Sequence, residues 1–269
     1  MVIDFHTHLF PDKIYEKTIK ILENNIWEHS HTHYSAVGTG NLSGLKNDMA
    51  KDDIDISLVL PIATHPKQTD NIIAFAYELN GKDGIYSFAS LHPDNEDTDG
   101  ILEKIKEMGF RGIKLHPEYQ SLFIDSEKSL KILKKCEDLG LYTVLHTGKD
   151  HGCPPPLHCA PDRLRNVLSE ISGKYIIAAH MGGWDMWDES MEHIIGTPIL
   201  IDTCFSLHFM DKEKATDMIK AHGAVKVLFG TDWALYSQKK TLEFLESLSL
   251  TSEEKEMIKH KNAEKILGL

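Results

Sequence analysis

Eight short apolar runs recur along the chain, each followed by a stretch of helical periodicity, and this alternation leaves few folds open. The runs are VIDF (2–5), ISLVLP (56–61), IYSFAS (85–90), RGIKLH (111–116), LYTVLH (141–146), KYIIAAH (174–180), PILIDT (198–203) and VKVLFG (225–230). Each is apolar or β-branched enough for a buried strand of a parallel sheet. Between them lie amphipathic segments such as DTDGILEKIKEMG (97–109) and SEKSLKILKKCEDLG (126–140), the second ending at Gly140 as a C-cap. Thr251 followed by Glu254 opens the last helical segment as a capping box. Eight such units in 269 residues predict an α/β chain folded as a (β/α)8 TIM barrel, one domain spanning residues 1–269. A doubly wound open sheet fits less well, because no glycine-rich turn follows the first run. The spacing breaks once. Residues 10–50 read as an insertion after strand one, a helix and the polar loop EHSHTHYSAVGTGNLSG, placed to serve as a lid or substrate-shaping loop.

Charge narrows the partners. A formal net charge of −12 argues against nucleic acid, which needs a basic surface. No apolar run approaches the roughly 18 residues of a membrane span, and no basic-then-apolar leader opens the sequence. Cys136, Cys153, Cys159 and Cys204 are too few and scattered for a disulfide framework. The expectation is a reduced, cytoplasmic protein acting on a small molecule.

In such a barrel the active site lies at the C-terminal ends of the strands. Strand one delivers His6 and His8 there, strand three runs into His92, and strand four ends at Lys114 and His116. Strand five ends at His146, strand six at His180, and strand eight runs into Asp232 in GTDW. Scattered surface histidines would not keep that phase. Within MVIDFHTHLF, alternate residues of a strand share a face, so Asp4, His6 and His8 are expected to point one way and Ile3 and Phe5 the other. A lone strand-end histidine is ordinarily a structural residue. His6, His8, His146 and Asp232 agree in position and type, and together they read as the ligands of a divalent metal. Their nitrogen and oxygen atoms suit Zn²⁺ first, then Mn²⁺, Co²⁺ or Fe²⁺. Asp4 reads equally as an acid orienting a ligand imidazole or as a structural acid of the barrel floor.

Two other histidine clusters carry less weight. His29, His31 and His33 in HSHTH repeat the spacing, but no strand precedes them. His158 and Cys159 in HGCPPPLHCAP read as a rigid loop over the site. Trp184, Trp187, Trp233 and Tyr236 lie near strand ends and are candidates to line an apolar pocket, with buried packing the plainer role.

The segments DFHTHLFP, GIKLHPEYQ, VLHTG, YIIAAHMGG, LIDTC, FGTDW and NAEKILGL resemble the amidohydrolase superfamily. The resemblance is closest to its aminocarboxymuconate-semialdehyde-decarboxylase-like branch of metal-dependent hydrolases, and runs from residue 3 to 269 outside the insertion. It implies a catalytic metal, usually zinc, held by His6, His8, His146 and Asp232. It also implies that His180 acts on water or substrate beside the metal. His116 in KLHP matches a family motif near the substrate. In binuclear relatives a carboxylated strand-four lysine bridges two metals, and Lys114 stands at that position. The GIKLHP pattern, however, belongs to the mononuclear branch, where this lysine resembles a structural or substrate-contacting residue. A deoxyribonuclease-like barrel would carry a strand-four Glu where this chain has Lys and His. Relatives of this type are often homodimers.

The chemistry expected is hydrolysis of an amide, ester or lactone by metal-activated water, with Asp232 both ligand and proton carrier. One alternative from the same machinery is non-oxidative decarboxylation of a small unsaturated or aromatic carboxylic acid. Lys114 and Arg111 are then the strand-end cations available to its carboxylate, and Arg111 has the opposite phase. A non-catalytic metal-binding barrel is the third reading.

Overall fold

The computed structural model describes residues 1–269, and all eight apolar runs form parallel strands. They are β1 (Ile3–Thr7), β2 (Ile56–Val59), β3 (Ile85–Ser87), β4 (Gly112–Leu115), β5 (Tyr142–Leu145), β6 (Ile176–Ala178), β7 (Leu200–Asp202) and β8 (Val227–Leu228). Regular ladders run from β1 to β3 and from β4 to β8. Isolated bridges at two seams join them into a ring. Lys114 N–H donates to the Ala89 carbonyl at 2.8 Å between β3 and β4, and Phe5 N–H to the Phe229 carbonyl at 2.7 Å between β1 and β8. Closure leaves no open strand edge.

Side-chain alternation sets what lies inside. Leu58, Phe88, Val144, Ile177 and Leu228 fill the barrel interior with Ile3 and Phe5. Their neighbours Val59, Leu145, Ile176 and Val227 pack outward into the larger core under the helices.

Strand β1 departs from strict alternation. Ile3 pairs with Ile56 and Asp4 with Ser57, yet Thr7 pairs with Val59, so β1 carries one residue more than β2 over this stretch. That is a bulge, and it reverses the phase of the strand. The expected shared face of Asp4, His6 and His8 is therefore wrong. Ile3 and Phe5 face inward and Asp4 faces outward, where Gln238 Nε2 (2.7 Å) and Thr231 Oγ1 (2.6 Å) donate to it. After the bulge His6 turns into the barrel. Burial pushes the Asp4 carboxyl up to about 7, while these donors pull it the other way. Asp4 is the structural acid of the two readings.

The segment 10–50 contains two helices rather than one. α1 (Tyr15–Ser30) has no buried residue. α2 (Leu42–Lys51) is an ordinary barrel helix between β1 and β2: Asn41 caps it by accepting from Gly44 N–H at 3.0 Å, and it buries Leu45 and Met49. The polar composition of GTGNLSG masked an N-cap as a loop. The helices α3 (Thr69–Leu79), α4 (Thr98–Glu107), α5 (Glu127–Leu139), α6 (Pro161–Val167), α7 (Trp187–His193) and α8 (Lys212–His222) follow their strands in turn. The chain ends in α9 (Gln238–Glu246), α10 (Ser252–Glu256) and α11 (Asn262–Leu267), whose Ile266 and Leu267 join the interior cluster with Ile3. Gly140 closes α5 at φ 63° and Thr251 forms its capping box with Glu254. No helix is long and apolar enough to cross a membrane.

Candidate metal centre

Four imidazoles meet above the interior cluster, and the partner of one nitrogen on each ring fixes its proton. His6 Nδ1 faces Asp202 Oδ2 at 2.7 Å, and His8 Nδ1 the Leu60 carbonyl at 3.1 Å. His146 Nε2 faces the Lys149 carbonyl and His180 Nδ1 the Cys204 carbonyl, both at 3.0 Å. Carbonyls and carboxylates only accept, so these four nitrogens carry the hydrogens. The opposite nitrogen of each ring is a lone pair.

Those lone pairs meet in two sets, and His146 also groups with His116 and Asp150 within 4.8 Å. His8 Nε2 lies 3.0 Å and His6 Nε2 3.7 Å from Asp232 Oδ1. His180 Nε2 and His146 Nδ1 face each other at 3.0 Å. Asp232 Oδ1 is buried and accepts no hydrogen bond. The charge states agree with this assignment. Burial, then Lys114, pushes His6 down to about 4, and burial, then His146, pushes His180 down to about 3. Burial also lowers His146. Burial opposes ionisation of Asp232, and its carboxyl is held below the usual range only where positive charge lies beside it, as it would with protonated His8, His6 and His180 rings. Lys114 Nζ, buried and 3.3 Å from His6 Nε2, is the one lysine nitrogen at the centre, and burial lowers its pKa.

A buried group of mutually facing acceptors is unstable without positive charge between them. Ligand atoms of His6, His8 and Asp232 lie within 4.8 Å of one another, as do those of His180, Cys204 and Asp232. This donor set fits a divalent ion with nitrogen and oxygen ligands. His6, His8 and Asp232 are the trio that holds two strand-one imidazoles and the unpartnered oxygen. His146 stands beside them, linked through His180.

Asp202, at the end of β7, is the residue that sequence reasoning missed. It accepts from the His6 ring, and its other oxygen accepts from the backbone N–H of His180 at 3.0 Å and of Cys204 at 3.1 Å. Burial raises its carboxyl, yet His6 more than offsets this and leaves it at about 2. The available signal was PILIDT, the strand-end acid of the seventh run. The backbones of His180 and Asp232 lie in the left-handed region, at φ 60° and 70°. Such non-glycine conformations cost on the order of 1–3 kcal/mol each and persist where surrounding bonds impose them. Here the bonds are His180 N–H to Asp202 and Asp232 N–H to the His6 carbonyl at 2.8 Å. Gly230 lets the chain after β8 pass close by, since a Cβ there would sit 2.9 Å from His6 Cβ. Replacing Asp202 with Asn keeps its shape and removes the charge behind His6. A loss of about 10–100-fold in metal affinity is expected, read by chelator competition. An unchanged affinity would show that Asp202 does not tune the ligand.

Other sequence candidates divide clearly. His116 stacks between Tyr119 (3.9 Å) and His146 (4.3 Å), with Nε2 3.4 Å from Asp150 Oδ2. His92 instead accepts from Asp94 N–H, away from the cavity. His158 binds Glu118 through its ring (2.5 Å) and its N–H (2.7 Å), tying the loop after β5 to the one after β4. His33 stacks on Trp27 at 4.1 Å, near the end of α1. Arg111 is exposed beside Gly268 and does not reach the cavity.

A cavity of about 900 Å³ opens over the centre. Trp184 and Trp187 line it. Trp233 is buried in packing, with Nε1 donating to Asp48 at 2.8 Å, and Tyr236 backs Phe205 and Phe209.

No curated protein matches the chain in sequence. Solved structures match its fold over nearly their whole length. A 2,6-dihydroxybenzoate decarboxylase complexed with 2,6-dihydroxybenzoate superposes with a TM-score of 0.71 at 14% identity, covering 100% of this chain and 99% of that one. A 5-carboxyvanillate decarboxylase from Novosphingobium aromaticivorans, complexed with manganese, gives 0.72 at 14% identity over 100% and 96%. A probable 2-pyrone-4,6-dicarboxylic acid hydrolase from Acinetobacter baumannii gives 0.67 at 13% identity over 100% and 99%. The amidohydrolase family model matches residues 3–269, and the chain belongs to that family.

Proposed function

We propose that the chain is a metal-dependent hydrolase that adds water to the carbonyl of an amide, ester or lactone. His6, His8, His146 and Asp232 are the ligands, and zinc is the ion. The observation that carries this reading is the grouping of the His6 and His8 lone pairs about an unpartnered Asp232 oxygen, with His180 and His146 beside them. A divalent ion held there supplies Lewis acidity and lowers the pKa of water toward neutrality. The chain's own groups suit the proton transfers. His180 is neutral, so its Nε2 lone pair can take a proton from water, and Asp232 and Asp202 favour the resulting imidazolium. That proton then returns from His180 to the leaving atom, with the ionised Asp232 able to relay it. The Lys114 ammonium stands where negative charge develops on the substrate oxygen.

Lys114 also favours a second reading. A buried ammonium beside the centre can hold a carboxylate, as decarboxylation of an aromatic acid requires, and two decarboxylases share this fold. Burial pulls the Lys114 pKa down, and Cys204, Asp202 and Asp232 pull it back up.

The test is elemental analysis of protein purified without chelator or histidine tag, followed by lactone, ester, amide and aromatic-acid substrates. About one zinc per chain with release of a new carboxylic acid is expected. Carbon dioxide release would establish decarboxylation, and an ion without turnover a non-catalytic barrel. Two ions per chain would make Lys114 a carboxylated bridge. Protein that binds no ion would end the metal reading.

A further inference from the structure

α1 presents an apolar stripe that the rest of the protein covers only in part. Ile14, at its N-cap, and Thr18, Ile21, Leu22 and Ile26 follow the i, i+4, i+7, i+8, i+12 spacing of a core-facing helix. All five line the cavity, yet none is buried, and Ile14 and Ile21 remain 48% and 46% exposed. Ile62, Ile72 and Phe75 line the same cavity from the chain after β2 and from α3. The space is several times the roughly 150 Å³ that holds a benzene ring. Its charges are equally selective. Lys114 is the only lysine or arginine in its lining, whereas Asp150, Asp185 and Asp232 are all there.

We propose that this chamber holds a monocarboxylic acid with an extended apolar body, its carboxylate at Lys114 and the metal centre and its body along the α1 stripe. The inference rests on the hydrolase reading for the location of the head group. It also serves either reaction, since the acid is the product of hydrolysis and the substrate of decarboxylation. A second carboxylate would lie against apolar wall or near Asp150 and Asp185, so diacids are disfavoured. Asp185 already pairs with Lys149 at 2.7 Å, and Asp150 sits beside His116.

Calorimetric titration of zinc-loaded protein with benzoate, 4-phenylbutyrate and 6-phenylhexanoate tests the body, and octanoate against octanedioate tests the charge. Each buried methylene is worth about 0.8 kcal/mol, roughly fourfold in affinity. Binding is expected to tighten at least about tenfold from benzoate to 6-phenylhexanoate, with octanoate at least about tenfold tighter than octanedioate. Ile21→Glu places a charge on the stripe at an exposed position where folding is not at risk. It should flatten the phenyl series, as Ile26→Ala should in part, while Lys20→Glu on the exposed face of α1 preserves it. A flat wild-type series, equal binding of the diacid, or an Ile21→Glu series as steep as wild type would overturn the proposal. The ratios are measured again after chelation. Failure of the metal reading then shows as absent zinc with the length dependence intact, distinct from failure of the chamber.

Discussion

His6→Ala is expected to lose the ion and the activity together. The residue contributes a lone pair beside Asp232 and connects the centre to Asp202, so its removal breaks both the ligand set and the support behind it. Asp202 keeps the backbone donors of His180 and Cys204, and the variant should therefore fold. Lewis-acid assistance is worth several kcal/mol, and each 1.4 kcal/mol is tenfold, so kcat/KM should fall by at least about 10³. Elemental analysis and turnover are measured on the same preparation. A fully metallated His6→Ala protein would remove His6 from the ligand set. Acid should act in the same direction for a related reason. In the proposed centre it is the neutral imidazole that would bind the ion, and burial holds His6 at about 4 rather than near 6.5. Proton competition at this ligand therefore begins well below the pH at which an exposed histidine would release metal.

The readable and unreadable parts of this centre differ physically. Strands were legible because burial on both faces demands continuous apolar runs, and their spacing alone pointed to a barrel. His6, His8, His180, Lys114 and Asp232 meet in the structure because the C-terminal ends of its strands face one cavity. The orientation of Asp4 was not legible. A bulge adds a residue without marking the sequence, and one extra residue exchanges the two faces of a strand. The role of Asp202 was hidden differently. Its partners, the His6 ring and the backbone of His180, lie 196 and 22 positions away and become neighbours only when β7 approaches them. α2 was concealed by composition, because the Asn41 cap and the glycine after it read as loop. The α1 stripe has the periodicity of a packed helix, and only the structure shows that it faces a cavity.

His180→Ala is expected to separate binding of the ion from catalysis. His180 has its Nδ1 hydrogen committed to the Cys204 carbonyl, its backbone N–H to Asp202, and a strained φ of 60° that aims the ring inward. In the proposed mechanism a ring fixed this way is a preorganised base, and loss of such a base costs about 10²–10⁴-fold in kcat. His6, His8, His146 and Asp232 all remain, so metal content should stay near the wild-type value while kcat falls within that range. His180→Gln is the companion variant, because it restores a polar atom without a titratable nitrogen. If proton transfer is the function, it should be as slow as the alanine variant and should lose the acid limb of the pH–rate profile. Recovery of kcat in His180→Gln would make His180 a hydrogen-bonding group for the substrate. Loss of the ion from both variants would instead move His180 into the ligand set, where its Nε2, 3.0 Å from His146 Nδ1, already points. Metal content sets a ligand apart from the other two roles, and kcat of His180→Gln then sets a base apart from a hydrogen-bonding group.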